Sequence, residues 1–334
     1  MNFSKAKTYS KSQVTIENFL PAMGQEVVTK SILSDLKESP KRISSMFLYN
    51  EAGSQLFEDI TDLPEYYPAK TEIGILKKCA NEIVSEFNDI DLVEIGSGDC
   101  SKISILLDAV TDTDLETIRY IPVDVSIDAI RKSADLLIQK YDGLAVHGIV
   151  ADFMSQLDKI PDGRSRFFCF LGGTIGNFTP DDRLEFFRAV AKQMDEDDTL
   201  LVGADMQKPV DIIEKAYNDP RGVTAEFNIN ILNTVNDIVG SNIEPEQFEH
   251  IAFFNRDESR IEMHLKALNN MEIVAPSEEK PIAIKAGECI HTENSYKFSR
   301  AVIEQNVKEA GLEIQKINTD EKEWFSLIEL RKAA

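Results

Sequence analysis

The sequence has 334 residues, 43% of them hydrophobic, which is enough for one large domain or two joined domains with an adequate core. Its formal net charge of −22 argues against nucleic acid or an anionic membrane as a partner, because both need a basic surface, and favours a small-molecule ligand. No apolar run approaches the roughly 20 residues that span a bilayer, and residues 1–7 lack the apolar stretch of a secretory signal. We therefore expect a cytoplasmic protein.

The cysteines and histidines give no indication of a bound metal. The four cysteines form no Cys-x-x-Cys pair, and the four histidines lack the short spacing of zinc ligands. We expect the cysteines to be reduced and mostly packed in the interior, and no metal to be required.

The first quarter of the chain contains two helical patterns separated by an aromatic segment. Residues 26–38 have the apolar spacing of a helix, and another helix is predicted for 71–87. Between them, two prolines flank Tyr66 and Tyr67 and predict an extended turn that presents both rings. This turn is either a structural loop pinned by its aromatic residues or a segment that faces a ligand.

Residues 91–104 read as a buried strand, a glycine turn and a helix. Gly96 and Gly98, with Ser97 between them, let the backbone take positive φ and approach a ligand closely. Ser101 is a candidate cap for the helix that follows. The pattern indicates a nucleotide cofactor, but a Gly-x-Gly turn is weak evidence by itself.

Acidic residues close the next two predicted strands, 119–126 and 144–151. Asp124 ends the first of them, where a carboxylate can hydrogen-bond the ribose hydroxyls of a nucleotide. Asp152 and Phe153 follow the second and form a polar and aromatic pair suited to an adenine. The alternative is that both aspartates only cap helices.

The alternation of strand and helix continues to residue 205. Strands are predicted at 166–171 and 199–204, separated by a glycine-containing loop at 172–180 and a helix at 181–194. This order predicts a parallel sheet with its ligand site at the carboxyl ends of the strands.

After residue 205 the pattern changes to an inserted α+β region that precedes a return to the main sheet. The predicted elements are helices within 209–239 broken at 217–224, a hairpin of 250–255 with 259–268, strands at 271–275 and 281–285, a helix at 296–310, and strands at 312–317 and 323–330.

Five parallel strands and a terminal strand pair resemble the sheet of class I methyltransferases, in which the last strand enters antiparallel between its neighbours. The third glycine of a dinucleotide fingerprint would fall at Ser101, so the turn favours S-adenosylmethionine instead. We therefore predict an α/β fold with a Rossmann-like seven-stranded sheet and an inserted α+β substrate-binding domain. The expected boundaries are 1–60 for an N-terminal part of the substrate domain, 61–205 for the methyltransferase domain, 206–285 for the insertion and 286–334 for the C-terminal part of the methyltransferase domain.

Four longer stretches resemble the histidine Nα-methyltransferases of ergothioneine biosynthesis. They are Phe57–Pro68, Phe170–Phe178, Ala216–Asn228 and Arg260–Met263. The resemblance extends over nearly the whole chain. It implies trimethylation of the α-amino group of L-histidine by S-adenosylmethionine to give hercynine, the first step towards ergothioneine.

The resemblance also implies roles for individual residues. The positions that match cofactor contacts are Tyr66, Tyr67, Gly96, Ser97, Lys102, Asp124, Asp152 and Phe153. Gly172, Asn177 and Tyr217 match positions that hold the α-amino and carboxylate ends of the amino acid, with Asn177 and Tyr217 orienting the reacting amine. Tyr49, Glu293 and Ser295 match positions that read the imidazole, and Met263 lines the same pocket.

Alternatives remain for the residues and for the activity. Glu293 and Ser295 could cap a helix that begins near Tyr296, and Met263 on an alternating strand could be ordinary core. The chain could methylate another amino acid such as tryptophan, or sense S-adenosylmethionine or an imidazole without catalysis. A monomer acting on a small molecule is expected.

Overall fold

The computed structural model describes residues 9–11, 13–21 and 25–333, which divide into two compact units. Unit 1 contains the described residues up to 21 together with 71–206 and 298–333. Unit 2 contains 25–70 and 207–297.

The strands, in chain order, are β1 Tyr9–Lys11, β2 Val14–Asn18, β3 Lys41–Arg42, β4 Ile90–Ile95, β5 Arg119–Asp124, β6 Ala145–Val150, β7 Ser165–Phe170, β8 Thr199–Asp205, β9 Phe248–Asn255, β10 Arg260–Ala267, β11 Met271–Ile273, β12 Ile282–Ile284, β13 Cys289–Tyr296, β14 Leu312–Thr319 and β15 Phe325–Lys332. The α-helices are α1 Gln25–Lys37, α2 Glu51–Thr61, α3 Tyr67–Val84, α4 Ser101–Leu107, α5 Asp112–Leu115, α6 Ile127–Lys140, α7 Pro180–Gln193, α8 Val210–Tyr217, α9 Val223–Val239 and α10 Arg300–Glu309.

Unit 1 is built on one large sheet with the order β1-β2-β6-β5-β4-β7-β8-β15-β14. The seven strands from β6 to β14 have the order expected for a class I methyltransferase, and β15 lies antiparallel between β8 and β14. That part of the fold prediction is confirmed. The sheet has two more described strands than predicted, because β2 pairs in parallel with β6 and β1 folds back on β2.

The central strands are buried on both faces because helices cover both sides of a parallel sheet. All six residues of β4 are buried, and Leu92, Val93 and Tyr120 are fully inaccessible. Ile75 of α3 and Ile103 of α4 belong to the same core cluster. A sheet with a buried centre therefore holds the loops at the carboxyl ends of its strands.

Unit 2 is built on a smaller sheet with the order β3-β13-β10-β9, in which β9, β10 and β13 are antiparallel. The long helix α9 contacts this sheet through β9 and β10 and also contacts α1 and α2. Strands β11 and β12 form a separate pair. The predicted hairpin and both short strands are confirmed.

Three local predictions are wrong. Residues 289–296 form a strand, and helix α10 begins only at Arg300 with Ser299 as its cap. Helix α3 begins at Tyr67 rather than at residue 71. Ser101 is the first residue of α4, and Cys100 occupies the capping position.

The borders of the units lie after residues 21, 70, 206 and 297. Residues 61–70 and 286–297 therefore belong to unit 2, and β13 in the second of these ranges is hydrogen-bonded to β10. Residues 14–18 belong to unit 1, because β2 extends the large sheet.

The described residues lack both a membrane-spanning helix and a metal-binding cluster. No described helix is long and apolar enough to cross a membrane. Within the same ranges, no group of three or more histidine, cysteine, aspartate or glutamate side chains has an arrangement suited to a metal ion.

A pair of glycine substitutions tests the packing inside unit 1. A Cβ at Gly203 of β8 would lie 2.2 Å from Oε1 of the buried Glu72, whereas a Cβ at Gly74 of α3 meets no atom within 4 Å. We expect Gly203→Ala to destabilise the protein by about 1–3 kcal/mol through overpacking. Gly74→Ala is expected to be neutral or to stabilise by up to about 1 kcal/mol, because alanine favours a helix.

Thermal and urea unfolding of both variants measure these effects. A Gly203→Ala protein as stable as the parent chain would show that the Glu72 carboxylate is not held in place.

Candidate cofactor and amino-acid sites

The glycine turn after β4 has the backbone geometry that its sequence predicts. Gly96 has φ +68° and Gly98 has φ +46°, a region that side chains disfavour. A Cβ at Gly98 would meet no atom within 4 Å, so the turn borders open space. Within the described part of the chain, the buried Ser97 hydroxyl has no hydrogen-bond partner. The turn therefore combines an open backbone with a polar group that a ligand or water can satisfy.

Asp124 connects the end of β5 to this turn. The backbone N–H of Gly98 donates to Asp124 Oδ2 at 3.2 Å, and that of Ser126 donates to Oδ1 at 2.9 Å. Burial raises the pKa of Asp124. The carboxylate thus supports the turn, and it retains acceptor capacity because two oxygens offer about four lone-pair sites.

Asp152 and Phe153 follow β6. The Asp152 carboxylate accepts from the backbone N–H of Met154 at 2.9 Å and from the Ser155 hydroxyl at 2.8 Å. Phe153 lies against the turn, since its ring is 3.8 Å from where a Cβ on Gly96 would stand. Its other neighbours include Phe170, with ring centroids 5.9 Å apart. Asp152 therefore orders its loop, and Phe153 packs behind the glycine turn.

A buried carboxylate that the sequence did not reveal organises the loop after β7. Glu72 is fully buried and accepts from the Gly172 backbone N–H at 2.8 and 3.0 Å. Its Oε2 is also 3.3 Å from Lys102 Nζ. Burial opposes the Lys102 charge, but the carboxylates of Glu72 and Asp99 outweigh it and raise the Lys102 pKa. Asn177 ends a short 3₁₀ turn in the same loop, five residues after Gly172.

Unit 2 gathers aromatic residues of the predicted amino-acid site. Tyr49 makes edge-on contacts with Phe57 and Phe227, both at 5.6 Å between centroids. Tyr66 contacts Tyr217 in the same manner at 6.1 Å. Tyr66 was expected among the cofactor residues, and its ring lies beside that of Tyr217, a residue of the predicted substrate set.

Tyr67 has a polar environment of its own within unit 2. Lys208 Nζ donates to the Tyr67 hydroxyl at 2.9 Å and lies 4.2 Å from the centre of its ring. Both tyrosines thus belong to unit 2, whereas the glycine turn and the two strand-terminal aspartates belong to unit 1.

Every second residue from Glu293 to Lys297, at the end of strand β13 and just beyond it, is buried. A register irregularity separates the pairs Met263–Glu293 and His264–His291, so Thr292 is an extra residue on β13. This bulge lets Thr292 and Glu293 both be buried, and Ser295 and Lys297 follow on the same face. Glu293 and Ser295 therefore do not cap a helix.

Glu293 is a buried acid beside a buried methionine. Its register partner Met263 is 1% exposed, which agrees with either a core or a pocket-lining role. Burial raises the pKa of Glu293 to about 7, and the ammonium of Lys297 acts in the opposite direction. No hydrogen bond joins the Glu293 carboxylate to a described residue. A buried acceptor in this condition is suited to a ligand donor.

Three side chains next to Glu293 form a hydrogen-bonded triangle. The Tyr217 hydroxyl donates to Ser295 Oγ at 2.8 Å. Lys297 Nζ donates to Ser295 Oγ at 2.8 Å and to Tyr217 Oη at 3.0 Å. The predicted residues Tyr217 and Ser295 are therefore brought together by a lysine that was not predicted.

A second network fixes the backbone of Tyr217. His250 Nε2 is 3.0 Å from the Tyr217 carbonyl oxygen, and the Asn228 amide is 2.9 Å from His250 Nδ1. Because the amide donates to Nδ1, the ring proton is on Nε2 and is donated to the carbonyl. Burial lowers the pKa of His250, which keeps this ring neutral. Thr292 in turn contacts the Asn228 side-chain oxygen at 2.6 Å.

Comparison with known proteins shows the family of this chain. Residues 28–332 match the family described as histidine-specific, S-adenosylmethionine-dependent methyltransferases. The histidine N-alpha-methyltransferase of Mycolicibacterium smegmatis is 37% identical over 300 residues, covering 90% of this chain and 93% of that protein. That of Mycobacterium tuberculosis is 35% identical over 316 residues, covering 94% and 98%.

A fungal relative matches over part of its length. Ergothioneine biosynthesis protein 1 of Neurospora crassa is 30% identical over 286 residues, covering 83% of this chain and 32% of that protein. The family match spans nearly all of the described residues, and the two mycobacterial relatives align over almost their whole lengths. The chain therefore belongs to the family of histidine-specific, S-adenosylmethionine-dependent methyltransferases.

Proposed function

We propose that this protein transfers three methyl groups from S-adenosylmethionine to the α-amino group of L-histidine and releases hercynine, the first step towards ergothioneine. The observation that carries the choice of substrate is Glu293, a buried carboxylate that no described residue hydrogen-bonds. An imidazole N–H satisfies such an acceptor. An apolar side chain of similar size would leave this acceptor unpaired, at a cost of about 3–5 kcal/mol, because a buried charge would then lack a partner.

The residues at the carboxyl ends of the unit 1 strands fit the methyl donor. We assign the ribose hydroxyls to Asp124, whose carboxylate already holds the Gly98 turn, and the donor's amino-acid part to Lys102. Asp152 and Phe153 are assigned to the adenine. The open space at Gly98 supports a ligand at this turn, as does the Ser97 hydroxyl, which has no hydrogen-bond partner among the described residues.

We assign the imidazole to unit 2, with Glu293 as acceptor, Ser295 as its polar neighbour, and Tyr49 and Met263 as walls. Tyr66 joins this set, since its ring lies beside Tyr217. The hydroxyl of Tyr217 and the loop residues Gly172 and Asn177 are proposed to hold the amino and carboxylate ends of histidine. In this proposal Asn177 and Tyr217 orient the reacting α-amine for methyl transfer.

When bound, S-adenosylmethionine supplies a methyl carbon on a sulfonium. Each transfer forms one nitrogen–carbon bond, breaks one sulfur–carbon bond and releases one proton from the amine. The lone pair must be free and aligned for this displacement, so positioning supplies much of the rate. Solvent or a carboxylate takes the proton. A monomeric, cytoplasmic enzyme is part of the proposal and agrees with the strongly acidic composition.

The activity is tested by incubating the protein with S-adenosylmethionine and each amino acid in turn, followed by mass detection. We expect histidine to gain one, two and three methyl groups, all on the α-nitrogen. Methylated tryptophan without methylated histidine would establish the alternative substrate. Tight binding of S-adenosylmethionine without any methylated amino acid would establish a sensor.

The role of Glu293 is tested by the pH dependence of histidine use. Because its pKa is raised to about 7, Glu293 is protonated below that pH and a full carboxylate above it. The ratio of kcat/KM between the parent protein and Glu293→Gln is expected to rise as pH increases through 7 and to level off near pH 8. The titrations of the substrate itself cancel in this ratio.

Above pH 8 we expect Glu293→Ala to lower kcat/KM for histidine roughly 10- to 150-fold, the range for a hydrogen bond to a charged group. Its affinity for S-adenosylhomocysteine should stay within about twofold by calorimetry. Glu262→Gln is the matched control, because Glu262 lies on the neighbouring strand with its side chain on the other face, bonded to Arg260. Equal loss of histidine and cofactor affinity in Glu293→Ala would contradict the assignment.

A further inference from the structure

Lys297 is a buried lysine of unit 2 beside the predicted amino-acid site. It is 3% exposed, and its ammonium lies 5.0 Å from the centre of the Tyr217 ring. Burying an ammonium is costly, so its hydrogen bonds to Tyr217 and Ser295 have to compensate for lost water. The cost indicates that the cation serves the site and not only the fold.

The triangle determines what the Ser295 hydroxyl can do. A hydroxyl has two acceptor lone pairs and one proton. Lys297 and Tyr217 both donate to Ser295 Oγ, at 2.8 Å each, so both lone pairs are occupied. The remaining function of the hydroxyl is to donate its own proton.

The neighbouring Glu293 is a hydrogen-bond acceptor, in contrast to the Ser295 hydroxyl. It lies on the same buried face two residues earlier, roughly 7 Å along the strand. As a carboxylate it can only accept. The face therefore presents one fixed acceptor and one fixed donor.

We propose that Lys297 is a positioning residue for specificity: it fixes Ser295 as a donor, so that the pocket selects a ring carrying both an N–H and an unprotonated ring nitrogen. This inference rests on the proposed histidine substrate and goes beyond it by naming the ring state that is bound. A neutral imidazole has one N–H and one acceptor nitrogen. An imidazolium has two N–H groups, so one of its protons would face the Ser295 proton. A pyrrole or an indole has no acceptor nitrogen, so the Ser295 proton would lack a hydrogen-bond partner.

The charge of Lys297 has a supporting effect on Glu293. It lowers the pKa that burial raises, which keeps more of the acceptor ionised near neutral pH. Lys297 thus favours the Ser295 hydroxyl as a donor and the Glu293 carboxylate as an acceptor.

The test compares histidine with the two pyrrolylalanines, each of which keeps one ring N–H and has C–H in place of the other nitrogen. The readout is the ratio of kcat/KM for histidine to that for the better pyrrolylalanine. In the parent protein we expect a ratio of roughly 10–100, the range for leaving one buried donor unpaired. In Lys297→Met the ratio should fall about tenfold, because the Ser295 hydroxyl regains an acceptor site and can turn.

Four further variants, one of them a double variant, distinguish this role from a structural one. Lys297→Arg keeps donors and charge and is expected to restore most of the ratio. Lys41→Met removes another buried lysine of unit 2, whose ammonium binds the Leu36 carbonyl at 2.9 Å, and should leave the ratio unchanged. Ser295→Ala should lower the ratio as far as Lys297→Met does, and the double variant should lower it no further.

The outcomes distinguish a failure of the proposed role of Lys297 from a failure of the proposed histidine activity. An unchanged ratio in Lys297→Met, with both substrates slowed equally, overturns the inference while leaving the histidine activity in place. If Lys297→Met does not fold, Ser295→Ala is measured in its place. A ratio of kcat/KM in Ser295→Ala equal to that of the parent protein overturns the inference. A parent protein that does not methylate histidine overturns the proposed function itself; calorimetric binding of the same three amino acids then decides the inference.

Discussion

The pairing of β13 with β10 is the constraint on which the amino-acid side of this protein depends. Without the extra residue at Thr292, regular alternation would leave Glu293, Ser295 and Lys297 on the opposite face from Thr292. The bulge places all four on the buried face, where Thr292 reaches Asn228. One irregularity in the ladder therefore orients the acceptor, the hydroxyl and the cation, and also anchors the network that holds the Tyr217 backbone.

The cofactor side depends on a different kind of constraint, a buried carboxylate used as a backbone ligand. Glu72 holds the Gly172 amide and the Lys102 ammonium together, and Gly203 is the residue that leaves room for it. The position of the loop after β7 is thus coupled to a helix that lies 100 residues earlier in the chain. Each unit thus contains a buried charged group, Glu72 in unit 1 and Lys297 in unit 2, that orients neighbouring polar groups.

Sequence patterns were sufficient for the parts of the fold that repeat regularly. The apolar runs of β4 to β8, the hairpin β9–β10 and the glycine turn all follow from periodicity and turn residues. Strand β13 did not, because its segment Thr292–Ser295 is polar and the bulge interrupts its alternation, so it read as the approach to a helix. Lys297 and Glu72 were missed for the same reason: a buried charge looks like a surface residue until its distant partners are known.

The path of the chain has a consequence for how the protein is made. Strand β8 needs β15 as its antiparallel neighbour, yet all of residues 207–297 are synthesised between them. On the ribosome, the growing sheet therefore carries an open β8 edge while unit 2 is emerging, and such edges invite pairing with other chains. A variant that slows the folding of unit 2 would consequently reduce the yield of unit 1, although it touches none of that unit's residues.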